Sequence, residues 1–244
     1  MMIKLKLVTL CCLFLICCDF LSAQITQGKI TYERKTNLYK RFRHWEDVKE
    51  WIKESNKIKV DEFELYFTDT VSVFKPVEND YREDFEWATN KSTSYQFLHQ
   101  NTRLCFKTIW GEEIFLKDSL SVRKWKITES MRNIAGYACR KAIWVENDSS
   151  RIYAWYTDEI AASTGPESFN GLPGLILGLA SEDGGVIYFA KKVELIRPPA
   201  TFFIPPKTKK KPQSTPEFKQ QLIKDYGKHK WGKAMLINNF GGVN

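Results

Sequence analysis

The sequence predicts a mainly β fold with few helices: a large curved antiparallel sheet, or an incomplete β-barrel, packed on one or two helices. Three observations carry this. Apolar and polar residues alternate with period 2 along most of the chain. The connections between alternating runs are short and built from turn formers, such as Thr68-Asp69-Thr70, Gly111 and Asp183-Gly184-Gly185. Helical periodicity is confined to two stretches. A sheet of this size must bury one face, and a helix lying in the concavity of a curved sheet does so economically.

Taken in order, Ile30 and Tyr32 begin a first strand. Phe63, Leu65 and Phe67 form a second, which turns at Thr68-Asp69-Thr70 into Val71 and Val73. Leu104, Phe106 and Thr108 pair with Ile114 and Leu116 across the Gly111 turn, and Trp125-Lys126-Ile127 is a short strand. Ala142–Val145 and Ile152–Tyr156 flank a polar turn over 146–150. Leu175–Leu179 and Val186–Val193 flank an Asp-Gly hairpin turn. The total is about eight to ten strands. Trp45, Val48, Trp51 and Ile52 recur at i, i+3, i+6 and i+7, which predicts an amphipathic helix positioned to cover the concave face. Thr215 as cap, Pro216 in the first turn and the stripe Phe218, Leu222 and Ile223 predict a second helix, stopped by Gly227.

Residues 1–23 have the layout of a secretory signal: Lys4 and Lys6, an apolar run from Leu7 to Cys18, and Leu21-Ser22-Ala23 before Gln24. A lipoprotein signal acylated at Cys17 or Cys18 is the rival, although Ile16 and Cys17 are poor residues before a lipobox cysteine. Export to the periplasm or the outer-membrane periphery is expected. The organisation that follows is a curved β domain over 24–197, a Pro/Lys-rich linker over 198–214, and a C-terminal helix with a basic tail over 215–244. No second long apolar run occurs, so no transmembrane span is expected in the processed chain. The formal net charge is +8, and much of the excess lies between Lys207 and Lys233. That run reads either as a solvated linker or as a contact for an acidic partner or anionic membrane surface. Nucleic acid is not an expected partner of an exported chain. Of six cysteines, Cys105 and Cys139 lie outside the leader; an oxidising compartment favours a Cys105–Cys139 disulfide, the alternative being two buried thiols.

Searches for catalytic signatures yield little. His44, His99 and His229 stand in no ligand or triad spacing, and no P-loop or dinucleotide fingerprint is present. No catalytic residue, metal site or cofactor is therefore assigned. The carboxylate pairs Asp158-Glu159 and Glu182-Asp183 sit at strand ends, where such pairs commonly mark turns, and support a hydrolase only weakly. Asn147-Asp148-Ser149 has the form of a glycosylation sequon inside a hairpin turn. The informative segment is the long connection after Tyr156, which concentrates aromatic and turn residues. Trp155, Tyr156, Pro166 and Phe169 read as the rim of a ligand or partner site, with Gly171 and Pro173 shaping its turn and Trp51 on the covering helix. The competing reading is a packed loop that closes one end of the sheet.

Four strings carry a resemblance: Ile134-Ala135-Gly136-Tyr137-Ala138-Cys139-Arg140-Lys141-Ala142, Trp155-Tyr156-Thr157-Asp158-Glu159-Ile160, Gly165-Pro166 with Phe169, and Gly171-Leu172-Pro173-Gly174-Leu175-Ile176-Leu177. With them the chain resembles the GLPGLI family of exported Bacteroidetes-type envelope proteins, closely over residues 124–195. Ala161 stands where that family often has Pro. The resemblance implies location and fold more than activity. The strand pattern is also similar to that of lipoprotein-sorting carriers, which implies an apolar or lipid ligand in the concave face of a non-enzymatic protein. The alternative is an interaction module that docks on an outer-membrane transporter or another envelope partner.

Overall fold

The structure is a computed structural model that describes residues 24–78, 85–109, 111–147, 150–229, 232 and 236. The expected leader over 1–23 and most of the tail beyond His229 lie outside the described residues. Eleven strands form one antiparallel sheet: β1 (Gly28–Asn37), β2 (Ile58–Phe67), β3 (Val71–Pro76), β4 (Ser92–Phe97), β5 (Thr102–Ile109), β6 (Glu112–Ser119), β7 (Lys126–Ile134), β8 (Tyr137–Asn147), β9 (Ser150–Thr157), β10 (Leu175–Ser181) and β11 (Val186–Glu194). Their order is β6-β5-β4-β3-β2-β1-β11-β10-β9-β8-β7. The chain thus meanders outward from β1 to one edge, jumps to the other edge, and meanders back to pair β11 with β1.

That jump dictates the shape. Only residues 120–125 connect β6 to β7, although these are the two edges of the sheet. Seven extended peptide steps reach about 25 Å. Eleven flat strands would hold the edges about 48 Å apart. The sheet therefore curls until its edges face one another, but β6 and β7 do not pair, and the result is an open, incomplete barrel.

The enclosed face is apolar along its centre. Ile30 and Tyr32 of β1, Phe63 and Leu65 of β2, Leu175 and Leu177 of β10 and Tyr188 of β11 are fully buried. Phe63 stacks on Phe74 at 4.9 Å between centroids. Full burial of each such side chain is worth about 1.5–3 kcal/mol. The connection 158–174 lies across this face and inserts Ile160, Ala162, Phe169 and Leu172 into the same cluster. Gly174 allows its exit, because a Cβ there would lie 2.0 Å from the Thr157 carbonyl oxygen.

Several elements differ from their sequence-based expectation. The helix expected over Trp45–Ile52 is only the one-turn α2 (Glu46–Lys49), next to a similar α1 (Leu38–Arg41). Trp45 occupies its N-cap and makes no side-chain cap bond, so the first-turn amides gain nothing from it. Val48 and Ile52 join Leu38, Phe42 and Ala88 in a satellite cluster, while Trp51 is 62% exposed. The connection 158–174, not this helix, fills the interior. The second helix forms as expected: α3 (Thr215–Tyr226), with Pro216 in its first turn. Its cap is Ser214 rather than Thr215, in a reciprocal capping box with Glu217. Phe218 and Leu222 pack on Cys105 and Leu116, and Ile223 faces outward.

The Pro-rich segment before α3 is strapped to the sheet. Phe202 meets Tyr66 edge-on at 4.7 Å, and Gln213 exchanges backbone hydrogen bonds with Phe115 and Lys117 on the β6 edge. The expected disulfide does not form. Cys105 and Cys139 are free, buried, and placed on opposite limbs of the sheet in separate clusters. Burial, with Glu159 adding to it, pushes the Cys139 thiol up to about 12, which suits a small apolar packing group rather than a reactive one.

Candidate functional site

The β1 stripe runs Ile30, Tyr32, Arg34, Thr36, all turned inward. A guanidinium therefore enters an apolar interior, and its neighbours are arranged to hold it. Arg34 donates from Nη2 and Nε to Asp61 Oδ2 at 2.8 and 3.2 Å, and from Nη1 to the Asn90 carbonyl at 2.8 Å and to the Tyr188 hydroxyl at 3.2 Å. Its plane lies 4.6 Å from the centroid of Phe63. Asp61 also accepts from the Thr89 hydroxyl at 2.9 Å and lies 3.3 Å from Lys59 Nζ. Burial opposes both charges. Tyr188, Asp61 and Glu167 nonetheless raise the Arg34 pKa, and Arg34 with Lys59 holds Asp61 below the usual carboxylate range.

The connection 158–174 brings a second carboxylate to this group. The Tyr188 hydroxyl donates to Glu167 Oε1 at 2.6 Å, and Arg34 Nη1 lies 3.7 Å from the same oxygen. Glu167 is held in a left-handed backbone conformation with φ +50°, as is Ser168 with φ +65°. Such conformations cost about 1–3 kcal/mol each and persist where surrounding contacts enforce them. Those contacts come from β3 and β4. Ser72 and Gln96 bond Thr164 at 2.8 and 2.7 Å, and Ser94 bonds Ser168. Burial raises the Glu167 pKa above the usual carboxylate value; Arg34, Tyr188, Lys107 and Arg103 offset this only in part.

Beyond Glu167 the enclosed face opens into a cleft of about 240 Å³. It lies along the unclosed seam. Arg103 and Lys107 reach it from β5, Trp144 and Glu146 from β8, Arg123 from the connector between the sheet edges, and Glu167 forms its inner wall. Arg123 donates from Nη1 to Asn170 Oδ1 at 2.9 Å, and its guanidinium stacks over Phe169 at 4.3 Å and Trp144 at 5.3 Å. Trp125 donates to the Asn170 carbonyl at 2.9 Å and fixes that corner. The Nε atoms of Arg103 and Arg123 are buried without a hydrogen-bond partner among the described residues. Burial and the nearby Arg103 charge lower Arg123 to about 10, and burial foremost also lowers Lys107. Arg103 thus repels both Arg123 and Lys107 in a partly dry site, Glu146 and Glu167 offset this in part, and a further anion placed among the cations relieves both costs.

The structure scatters the sequence-predicted site. Phe169 lines the cleft, while Tyr156 and Pro166 are buried in or against the core. Trp155 is half-buried, packed on Phe189 at 5.6 Å and beneath Arg132. Gly171, with φ +89°, and Pro173 are exposed at the turn before β10, and Trp51 joins no core cluster. Asp158 and Glu159 are exposed at the end of β9, outside the cleft. Glu182 pairs with Arg151 at 2.7 Å, and Asp183 caps the Gly185 amide at 2.8 Å, so that pair shapes a turn. Among the described residues no cluster of three or more His, Cys, Asp or Glu side chains is arranged for a metal ion. Arg34, Asp61, Arg103, Lys107, Arg123 and Glu167 escaped the sequence reading. A signal existed for the first two, since each is a charge at the end of an inward apolar stripe.

The model of a family described as "Protein of unknown function (Porph_ging)" matches residues 144–178. That span runs from Trp144 on the cleft wall through the connection to Gly178 on β10. No curated protein matches the chain. Solved structures similar to it include PNGF-II in two crystal forms, each 17% identical, with TM-scores of 0.56 and 0.55. These superpositions cover 82% of this chain and 33% and 34% of the PNGF-II chains. The chain spans about a third of the length of PNGF-II, and the likeness is one of fold.

Proposed function

We propose that this chain is an exported envelope protein of the GLPGLI type that binds, rather than converts, a small acidic ligand in the seam cleft. Periplasm or outer-membrane periphery is the location this reading assumes. One observation carries it: Arg103 and Arg123, each with a buried Nε that has no partner among the described residues, line one cleft beside Lys107. A guanidinium stacked on two aromatic rings, as Arg123 is, has its orientation fixed before a ligand arrives. Phosphate and carboxylate groups match that fork. The expected apolar or lipid ligand finds less support. The apolar centre of the sheet is filled by Tyr32, Phe63, Phe74 and Tyr188, and the cleft wall is largely charged and hydroxylated.

Thermal unfolding at constant ionic strength tests this reading with inorganic phosphate, citrate and glucuronate as probes. A ligand at a hundred times its Kd adds about 2.7 kcal/mol. For a chain of this size that raises the midpoint by about 5–10 °C. A saturable rise with at least one probe, absent in the Arg103→Gln/Arg123→Gln variant, supports the site. Equal behaviour of the two proteins with all three probes refutes it. The docking reading draws on a different feature: Trp51 and Trp87 are 62% and 56% exposed, and Trp87 contacts Phe42. Pull-down of an envelope partner that is lost in Trp51→Ala/Trp87→Ala favours that reading.

A further inference from the structure

The strap from Leu195 to Lys211 carries Arg197 and four lysines, Lys207, Lys209, Lys210 and Lys211, and no carboxylate occurs from 195 to 216. The same strap exposes large apolar side chains: Leu195 at 61%, Ile196 at 43%, Phe202 at 38% and Ile204 at 66%. Phe202 lays one side on Tyr66, and Leu195, Ile196 and Ile204 face outward. The outer sheet face beneath them is already occupied by Tyr66, Val73 and Tyr95, with Phe203 packed against it. Pro198, Pro199, Pro205 and Pro206 stiffen the segment. The Phe202–Tyr66 contact, Lys75 lying 5.1 Å from the Phe202 ring, and the pairing of Gln213 with β6 hold it on the sheet. Glu113 shares a groove with Lys207 and Lys210, and Glu194 immediately precedes the strap.

Exposed apolar side chains alone fit an apolar groove, and a lysine run alone fits any polyanion. A rigid strap that presents both, side by side, fits the interface of a bilayer with anionic lipid. There the apolar groups enter the headgroup boundary and the lysines meet lipid phosphates. We propose that residues 195–211 form a peripheral docking surface for an anionic membrane. Two weak signals act together here, as stable membrane anchoring requires. The surface is separate from the seam cleft, and the proposal stands whether or not the cleft binds an anion.

Co-sedimentation with vesicles tests it, using the chain from Gln24 onward, which contains every described element. Two vesicle compositions serve: phosphatidylcholine alone, and phosphatidylcholine with phosphatidylglycerol at about one part in three. The mixed vesicles are expected to bind at least about tenfold more tightly, in a salt-sensitive manner. Substituting Lys207, Lys209, Lys210 and Lys211 by Gln is expected to reduce binding to the level of phosphatidylcholine alone. Leu195→Asn/Ile204→Asn, with all charges retained, is expected to weaken binding to the mixed vesicles by about tenfold. Both variants alter exposed side chains and should keep the parental melting temperature. The proposal is overturned by failure to bind the mixed vesicles, by equal binding to both compositions, or by full binding in either variant. Full binding by the Leu195→Asn/Ile204→Asn variant in particular would mark a purely ionic contact with any polyanion.

Discussion

The enclosed face of this sheet is built by opposite rules on its two sides. Around β1, β2, β10 and β11 it is filled by side chains such as Ile30, Tyr32, Phe63, Leu177 and Tyr188, with no exposed area. Along β3, β4 and β5 the equivalent positions hold Ser72, Ser94, Gln96, Arg103 and Lys107. One connection serves both. Its ends, Ile160, Ala162 and Leu172, belong to the apolar side, and its middle, Thr164, Glu167 and Ser168, to the polar side. The difference teaches that residues 158–174 act as a partition: one side completes a core, and the other is the wall of a cleft. Arg34, Asp61, Glu167 and Tyr188 join the two, with the apolar packing concentrated on one side and the cations of the cleft on the other.

The partition can be broken most severely where the two sides join. Arg34→Ala strands the Asp61 carboxylate in the interior and should cost about 3–5 kcal/mol in urea unfolding. Arg34→Met combined with Asp61→Asn should recover only part of that loss, because Lys59 loses Asp61 and Glu167 loses Arg34 in the same interior. On the apolar side, Leu177→Ala should cost about 2–5 kcal/mol by cavity formation. It should leave any anion-induced rise in melting temperature intact. Gly174→Ala attacks the partition where it rejoins the sheet. A Cβ there would lie 2.0 Å from the Thr157 carbonyl oxygen, and the displacement should cost about 1–3 kcal/mol in the same assay.

Smaller effects sharpen the polar side. Glu167 has a folded-state pKa above its unfolded value, and Asp61 one below. The folded protein therefore binds the Glu167 proton more readily, so that group's contribution rises as pH falls from the raised folded pKa toward the ordinary carboxylate value. Asp61 contributes in the opposite sense: its stabilisation is present above the ordinary carboxylate value and is lost as pH falls through its depressed folded pKa. Glu167→Gln should remove the acid-side gain and leave the later acid loss, as read from urea midpoints across an acid pH series. The same substitution removes a negative charge from the cleft wall and should strengthen anion binding. The smallest stability effect is expected for Arg103→Gln/Arg123→Gln, within about 0.5–1 kcal/mol of the parent. Relief of cationic repulsion there offsets the packing that Arg123 contributes.

The strands were readable wherever one face is buried and apolar. Phe63–Phe67, Ala142–Val145, Ile152–Tyr156 and Val186–Val193 each lie in a strand, and burial alternates strictly over 152–156 and 186–190. The Gly171–Leu177 turn was readable too: Gly174 is a close-approach position, and Leu175, Ile176 and Leu177 enter the core. β4 was not readable, because its inward residues are Ser92, Ser94 and Gln96, and a polar interior removes the apolar signal on which periodicity depends. β7 runs well past the expected Trp125–Ile127, yet most of its residues are exposed at the sheet edge, so no alternation marks its length. The α2 stripe misled because its period was right while its N-terminus had no cap. Of the expected site residues only Phe169 reaches the cleft. The charges that define the cleft come from β5, the β6–β7 connector and the 158–174 connection, and they converge only when the sheet curls. No local pattern carries that convergence. Arg34 and Asp61, charges at the ends of inward apolar stripes, were its legible trace.

The most direct test of the seam cleft is a calorimetric titration of the chain with glucuronate and with inorganic phosphate, run in parallel on the Arg103→Gln/Arg123→Gln variant. The partition account predicts saturable one-to-one heat with at least one probe for the parent, and its loss in a variant that melts at a similar temperature. Absence of saturable heat with both probes, or identical isotherms for parent and variant, would contradict it.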